Sequence, residues 1–280
     1  MASTRLCAAR PSVNARKGVP VTNATFMLDD AGAGPPVLLL HGFPATGRLW
    51  SRVAPALINA GYRVLVPDLV GYGESDAAAG EGLDMGRQAR WLLELLDALG
   101  IARAVLVAHD VGSAAAQLLL SMAPQRVRGL VVLDGVYAGE WAMEAIASIQ
   151  TWDAADARRL FPVLARRLGK SPDMREMLTA YEGEEGGLRL IRAARDLDPR
   201  QTLHIGATLR RIGAPALVLW GDHDDFLPVD TVARPLAELL GAALSMLPGG
   251  HFTPLDCPQQ VATALIDFLA HLPQNGPTVP

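Results

Sequence analysis

The chain reads as an α/β protein with a mostly parallel central sheet flanked by helices and a helical segment inserted between two strands. Three observations predict this. Short apolar runs bounded by turn residues recur along the sequence. Longer stretches with apolar residues at helical spacing alternate with them. Between about residues 137 and 210 the alternation stops, and no strand-like run occurs.

Residues 37–40, 62–66, 104–108, 130–133, 216–220 and 243–247 are the apolar runs. Each is short and continuous, as expected of parallel strands buried on both faces. Residues 88–99 place Trp91, Leu92, Leu95, Leu96 and Leu99 on one helical face and stop at Gly100. Residues 259–272 close the pattern with Val261, Leu265, Phe268 and Leu269. Inside the insertion, residues 154–168 and 172–181 read as helices, and the Glu/Gly-rich residues 182–187 as a solvated hinge or loop. An insertion over strand ends, where ligands bind α/β sheets, reads as a lid. The expected organisation is a disordered tail at 1–20, an α/β core at 21–136 and 211–280, and a helical cap at 137–210.

Composition narrows the partners. Half of the 280 residues are hydrophobic and 19% are charged, enough for a sizeable core. A net charge of −4 leaves no basic footprint for nucleic acid. Apolar runs stay well short of the roughly 18 residues of a membrane span. Residues 1–20 carry basic side chains without an apolar stretch, so no secretory signal is read there. Two cysteines, Cys7 and Cys257, form no disulfide framework and no metal spacing. A cytoplasmic protein acting on a small molecule, with no membrane or nucleic-acid partner, is the expectation.

Residues 106–113, LVAHDVGS, carry the most chemistry. An apolar run reaches a polar residue flanked by small ones, and a helix former follows. That is the context of a nucleophile elbow, whose tight turn accepts only small side chains two positions either side, here Ala108 and Gly112. The apex is Asp110, where most such elbows carry Ser. A carboxylate that attacks an ester forms a labile anhydride, whereas attack on a saturated carbon forms a stable alkyl ester. Asp110 also suits a helix N-cap, the plainer reading of the residue.

Four more motifs follow predicted strands: His41-Gly-Phe-Pro44, Asp68-Leu-Val-Gly-Tyr-Gly-Glu-Ser-Asp76, Trp220-Gly-Asp-His-Asp-Asp-Phe-Leu-Pro228 and Gly249-Gly-His-Phe252. With the elbow, and in this order, they resemble the α/β-hydrolase fold family over about residues 34–272. His-Asp at the elbow and His-Gly-Phe-Pro are similar to the branch with an Asp nucleophile, which includes epoxide hydrolases and haloalkane dehalogenases. The resemblance implies Asp110 as nucleophile, His251 as base and Asp224 as the acid that orients it. Asp134, after the preceding strand, competes for the acid's role, because some dehalogenases of this branch take their acid there; Asp224 is preferred. The backbone amides of Phe43 and Val111 would form the oxyanion hole. No metal or organic cofactor is expected. His41 and His109 read as structural, His223 as a solvated loop residue and Trp91 as core.

The sequence departs from the family where substrates are chosen. Epoxide hydrolases and many haloalkane dehalogenases carry Trp directly after the nucleophile, and fluoroacetate dehalogenases carry Arg; this chain has Val111. The cap Tyr that polarises an epoxide oxygen is matched by Ile191 in Arg189-Leu-Ile-Arg192. Substrate contacts and leaving-group donors are therefore sought in the cap, at Tyr137, Trp141, Trp152, Tyr181 and His204. The implied activity is opening of an epoxide or carbon–halogen bond of a largely apolar molecule through an alkyl-enzyme ester. The alternative is an enzyme that reuses the Asp/His pair for elimination, cyclisation, or ester or lactone cleavage.

Overall fold

A computed structural model describes residues 16–273. Among the described residues, β1 (Lys17–Val21), β2 (Ala24–Ala31), β3 (Pro36–Leu40), β4 (Arg63–Pro67), β5 (Asp76–Ala77), β6 (Ala104–His109), β7 (Val127–Leu133), β8 (Ala216–Gly221) and β9 (Ala243–Leu247) form one sheet. The order is β1-β2-β4-β3-β6-β7-β8-β9, with β5 also on β2. From β4 to β9 every pairing is parallel. β6 lies centrally, and all six of its residues are buried. Its register sets Leu106 beside Leu38 and Leu130, so the core runs unbroken through the sheet's middle.

The six apolar runs are thus strands, to within a few residues. The antiparallel edge is new: β1 and β2 turn at Thr22–Asn23, with Asn23 at φ +58°. Residues 17–20, assigned from sequence to a tail, belong to β1. The rest of that stretch, with Cys7, lies outside the described residues apart from Arg16. Cys257 is buried and unpaired.

Helices cover both sheet faces: α1 (Ala54–Asn59), α2 (Met85–Ala98) and α3 (Gly112–Met122) before β7, and α9 (Arg234–Leu240), α10 (Thr253–Asp256) and α11 (Pro258–Ala270) after β8. α2 starts at Asp84, whose carboxylate accepts the Arg87 amide, and buries Trp91, Leu92, Leu95 and Leu96. Between β7 and β8 lie α4 (Glu144–Gln150), α5 (Ala157–Leu168), α6 (Pro172–Leu178), α7 (Gly183–Arg195) and α8 (Gly206–Ile212). Residues 183–187, read as a loop, instead open α7. A Cβ on Gly187 would sit 2.1 Å from the Ala157 carbonyl oxygen, so the glycine permits close packing of α7 on α5. No helix of the described residues is long and apolar enough to cross a membrane.

Candidate active site

The loops after β3, β6, β8 and β9 meet at the carboxyl edge of the sheet, beneath the inserted helices. β6 runs straight into Asp110, which turns the chain at φ +50° before α3 begins. Gly112 lies so near β3 that a Cβ would come within 2.2 Å of the His41 carbonyl oxygen. The turn therefore lifts the Asp110 side chain off the sheet and presses its backbone against the neighbouring strand's end.

Asp110 Oδ2 accepts the Phe43 amide at 2.8 Å. Burial pushes this carboxyl's pKa up, while His251 and the Val111 and Phe43 amides pull it down. His251 Nε2 stands 3.8 Å from Asp110 Oδ1. On the ring's far side, Nδ1 is 2.9 Å from Asp224 Oδ2. The Asp224 side chain is 0% exposed, and its Oδ1 accepts the Phe226 and Leu227 amides at 2.8 and 3.0 Å. The carboxylate is thus held on both oxygens. Burial alone would lower the His251 pKa. The hydrogen bond and charge of Asp224, with Asp110 and Asp134, outweigh it and raise the ring to about 9.

Asp134 is fully buried and differently employed. Its Oδ1 accepts the Gly221 amide at 2.6 Å, and its Oδ2 takes the Thr253 hydroxyl. No hydrogen bond to His251 forms. Burial raises its pKa to about 8, with a smaller push from Asp224. Between about pH 4 and pH 8 the folded state keeps a proton that the unfolded chain has released, so stability falls as pH rises through that window. Asp134→Asn can keep both bonds, with Thr253 as acceptor, and removes this term. The melting temperature of the variant relative to the parent should climb from pH 5 to pH 8; a difference independent of pH would contradict the assignment.

His41 and His109 hold backbone. His41 Nε2 accepts the Leu69 amide and its Nδ1 donates to the Gly42 carbonyl, both at 2.9 Å. His109 Nε2 donates to the His251 carbonyl at 2.7 Å, and burial drives its pKa well down. His223 is exposed beside Asp222.

A cavity opens above Asp110 and His251. The cap walls it with Trp141, Ile146, Ile149, Trp152 and the α5 residues 163, 164, 167 and 168; the core adds Phe43, Pro44, Phe226 and Phe252. Three of the cap residues named from sequence lie outside this lining. Tyr181 is fully buried outside this lining, and its hydroxyl donates to the Ala45 carbonyl at 2.8 Å. Tyr137 is also outside it, paired with Glu140 in an isolated β-bridge. His204 is exposed and Ile191 is buried within the cap, both away from the cavity. Trp141 does line it, although its indole N–H is given to Thr202 at 2.9 Å. Sequence reasoning missed Arg167, Phe226 and Phe252. The two phenylalanines sit beside Asp224 and His251 in motifs already singled out. Arg167 shares helical spacing with Val163, Leu164 and Leu168, the signal that would have found it.

Comparison with known proteins follows this geometry. Residues 35–172 match the family model described as alpha/beta hydrolase fold. A 2-hydroxy-6-oxononadienedioate/2-hydroxy-6-oxononatrienedioate hydrolase of Paraburkholderia phymatum is 31% identical, over 86% of this chain and 89% of its own. The haloalkane dehalogenase DbeA of Bradyrhizobium elkani superposes with a TM-score of 0.77 at 27% identity, covering 91% of this chain and 97% of its own. A protein described as a candidate epoxide hydrolase from Pseudomonas aeruginosa superposes at 0.74 with 25% identity, covering 91% and 95%.

Proposed function

Because the chain belongs to the α/β-hydrolase fold family, we propose that it opens an epoxide or carbon–halogen bond of a small, largely apolar molecule in the cytoplasm, with Asp110 as nucleophile. The observation that supports this reading best is the division of the Asp110 carboxylate. Oδ2 is anchored by the Phe43 amide, while Oδ1 faces His251 Nε2 at 3.8 Å. A Ser nucleophile needs its base within about 2.6–3.2 Å. A carboxylate carries its own charge and needs no base for attack, so the longer gap suits a water activated later.

In the first step Asp110 Oδ1 attacks the electrophilic carbon. A C–O bond forms, the epoxide C–O or carbon–halogen bond breaks, and the leaving group takes the electron pair. Its donor comes from the cavity wall. Trp152 lines the cavity, and its indole N–H has no hydrogen-bond partner among the described residues. Tyr181 and Trp141 have spent theirs.

The resulting ester has lost the Asp110 charge. One of the influences holding the His251 pKa high disappears with it, and the ring becomes a better base for the second step. His251 takes a proton from water, and hydroxide attacks the Asp110 carboxyl carbon. The oxyanion develops on the oxygen facing the Phe43 amide, and Asp224 stabilises the imidazolium. Collapse releases the alcohol and regenerates the carboxylate. This route asks for no cofactor.

A single turnover of an aryl epoxide in ¹⁸O water tests the scheme. The label should enter Asp110 and be absent from the first diol. Label appearing wholly in the diol would sink the covalent route. Failure of every epoxide and haloalkane to react would favour the ester-cleaving or eliminating alternative, which Val111 and Ile191 at the usual activator positions also fit.

A further inference from the structure

The catalytic cavity holds three charged or titratable side chains: Asp110, His251 and Arg167. The first two make the reaction; the third has no part in it. Arg167 lies in the last turn of α5, on the same face as Val163, Leu164 and Leu168, which turn apolar atoms to the cavity. Of the other arginines of this helix, Arg158 pairs with Glu184 and Arg159 with Asp156, while Arg166 is exposed and lines none of these recesses. Arg167 has no carboxylate within ion-pair distance among the described residues. It also borders two recesses outside the cavity, one beside α6 and one between the start of the cap and the loop after β8. The residue is exposed, so its guanidinium stands at the junction where the cavity opens to solvent. Lys170 borders both outer recesses as well. Asp110 shares the cavity with Arg167, and Glu140, Glu144, Asp225 and Asp256 share the outer recesses, but none of these carboxylates pairs with it.

An unpaired guanidinium at the open end of an apolar chamber is a positive charge with no partner of its own. It offers a planar fork that matches a carboxylate. We propose that Arg167 binds the anionic end of the substrate. The substrate is then an amphiphile, with an apolar body lying over Asp110 and a carboxylate at the cavity mouth. Which end reacts rests on the reading of Asp110 above; the anion site itself does not.

An unreactive pair of probes separates the two readings. 4-Phenylbutyrate and its neutral amide have nearly the same shape, differ chiefly in charge, and contain no epoxide or carbon–halogen bond for Asp110 to open. Calorimetric titration at low salt should show the acid binding about 10- to 100-fold more tightly than the amide, the range for a charge-assisted contact. Arg167→Met should erase that preference while leaving the affinity for the amide unchanged, which also certifies the fold. Arg167→Lys should keep part of it. Equal binding of acid and amide to the parent protein, or a preference that survives in Arg167→Met, would overturn the proposal. A preference that follows Arg167, in a protein that forms no adduct with any epoxide or haloalkane, would leave the anion site standing and fell the reaction scheme instead.

Discussion

Asp110→Asn should reduce turnover to background, a loss on the order of 10⁴- to 10⁶-fold, the range for removing a nucleophile. The amide has the carboxylate's shape, and its oxygen can still accept the Phe43 amide now held at 2.8 Å. Folding should survive, with an unchanged circular dichroism spectrum and melting temperature within a few degrees. His251→Gln makes the complementary case. Attack by Asp110 needs no base, whereas hydrolysis of the ester does. The variant should stall after the first step, and intact mass spectrometry should find the protein heavier by one alkyl group, retained on the peptide containing Asp110. Rapid turnover by His251→Gln, or an adduct elsewhere, would refute the assignment of roles.

Asp224→Asn should cost about 10⁴-fold in kcat, as loss of the orienting acid does in a Ser-His-Asp triad. At 1.36 kcal/mol per tenfold this is about 5 kcal/mol of barrier. The reason lies in the ring's tautomer. Asp224 Oδ2 accepts from Nδ1 at 2.9 Å and leaves Nε2 free to take a proton on the side of Asp110. An amide in its place can donate to Nδ1 and turn the base the wrong way. Asp134→Asn should lower kcat less than tenfold, because Asp134 is bound to the Gly221 amide and the Thr253 hydroxyl rather than to the imidazole. Steady-state rates for the two variants rank the acids, and the reverse order would transfer the role to Asp134.

Much of this arrangement was legible in the sequence, for identifiable reasons. Parallel strands buried on both faces must be apolar throughout, so β6 and its neighbours announce themselves as short runs. The motifs after those strands are tied to positions in the chain, which is why Asp110, His251 and Asp224 could be named before any geometry. The antiparallel edge was harder. β2 alternates buried Ala24, Phe26 and Leu28 with more exposed neighbours, but charged residues and Pro20 around it resemble a solvated tail. The Gly-rich start of α7 misled in the opposite sense, because glycine there serves helix packing rather than a bend. Tyr137, Tyr181 and His204 of the cap lie outside the cavity lining for a third reason. Whether a tyrosine faces a cavity or donates to a carbonyl depends on contacts far away in the chain, as with Tyr181 and Ala45, 136 residues apart.

The closeness of the elbow to the end of β3 has a consequence for how this protein can change. A Cβ on Gly112 would strike the His41 carbonyl, and one on Gly42 would come within 2.4 Å of the Asp110 carboxylate. Both positions are closed to any other residue without shifting backbone or displacing the reactive group. The apex itself is different: its backbone makes the turn, while its side chain projects into the chamber. The frame that aims the group is rigid, and the identity of the group aimed is a separate variable. On the proposed assignment, a change of chemistry is sterically open at position 110 and closed at the two glycines that hold it in place.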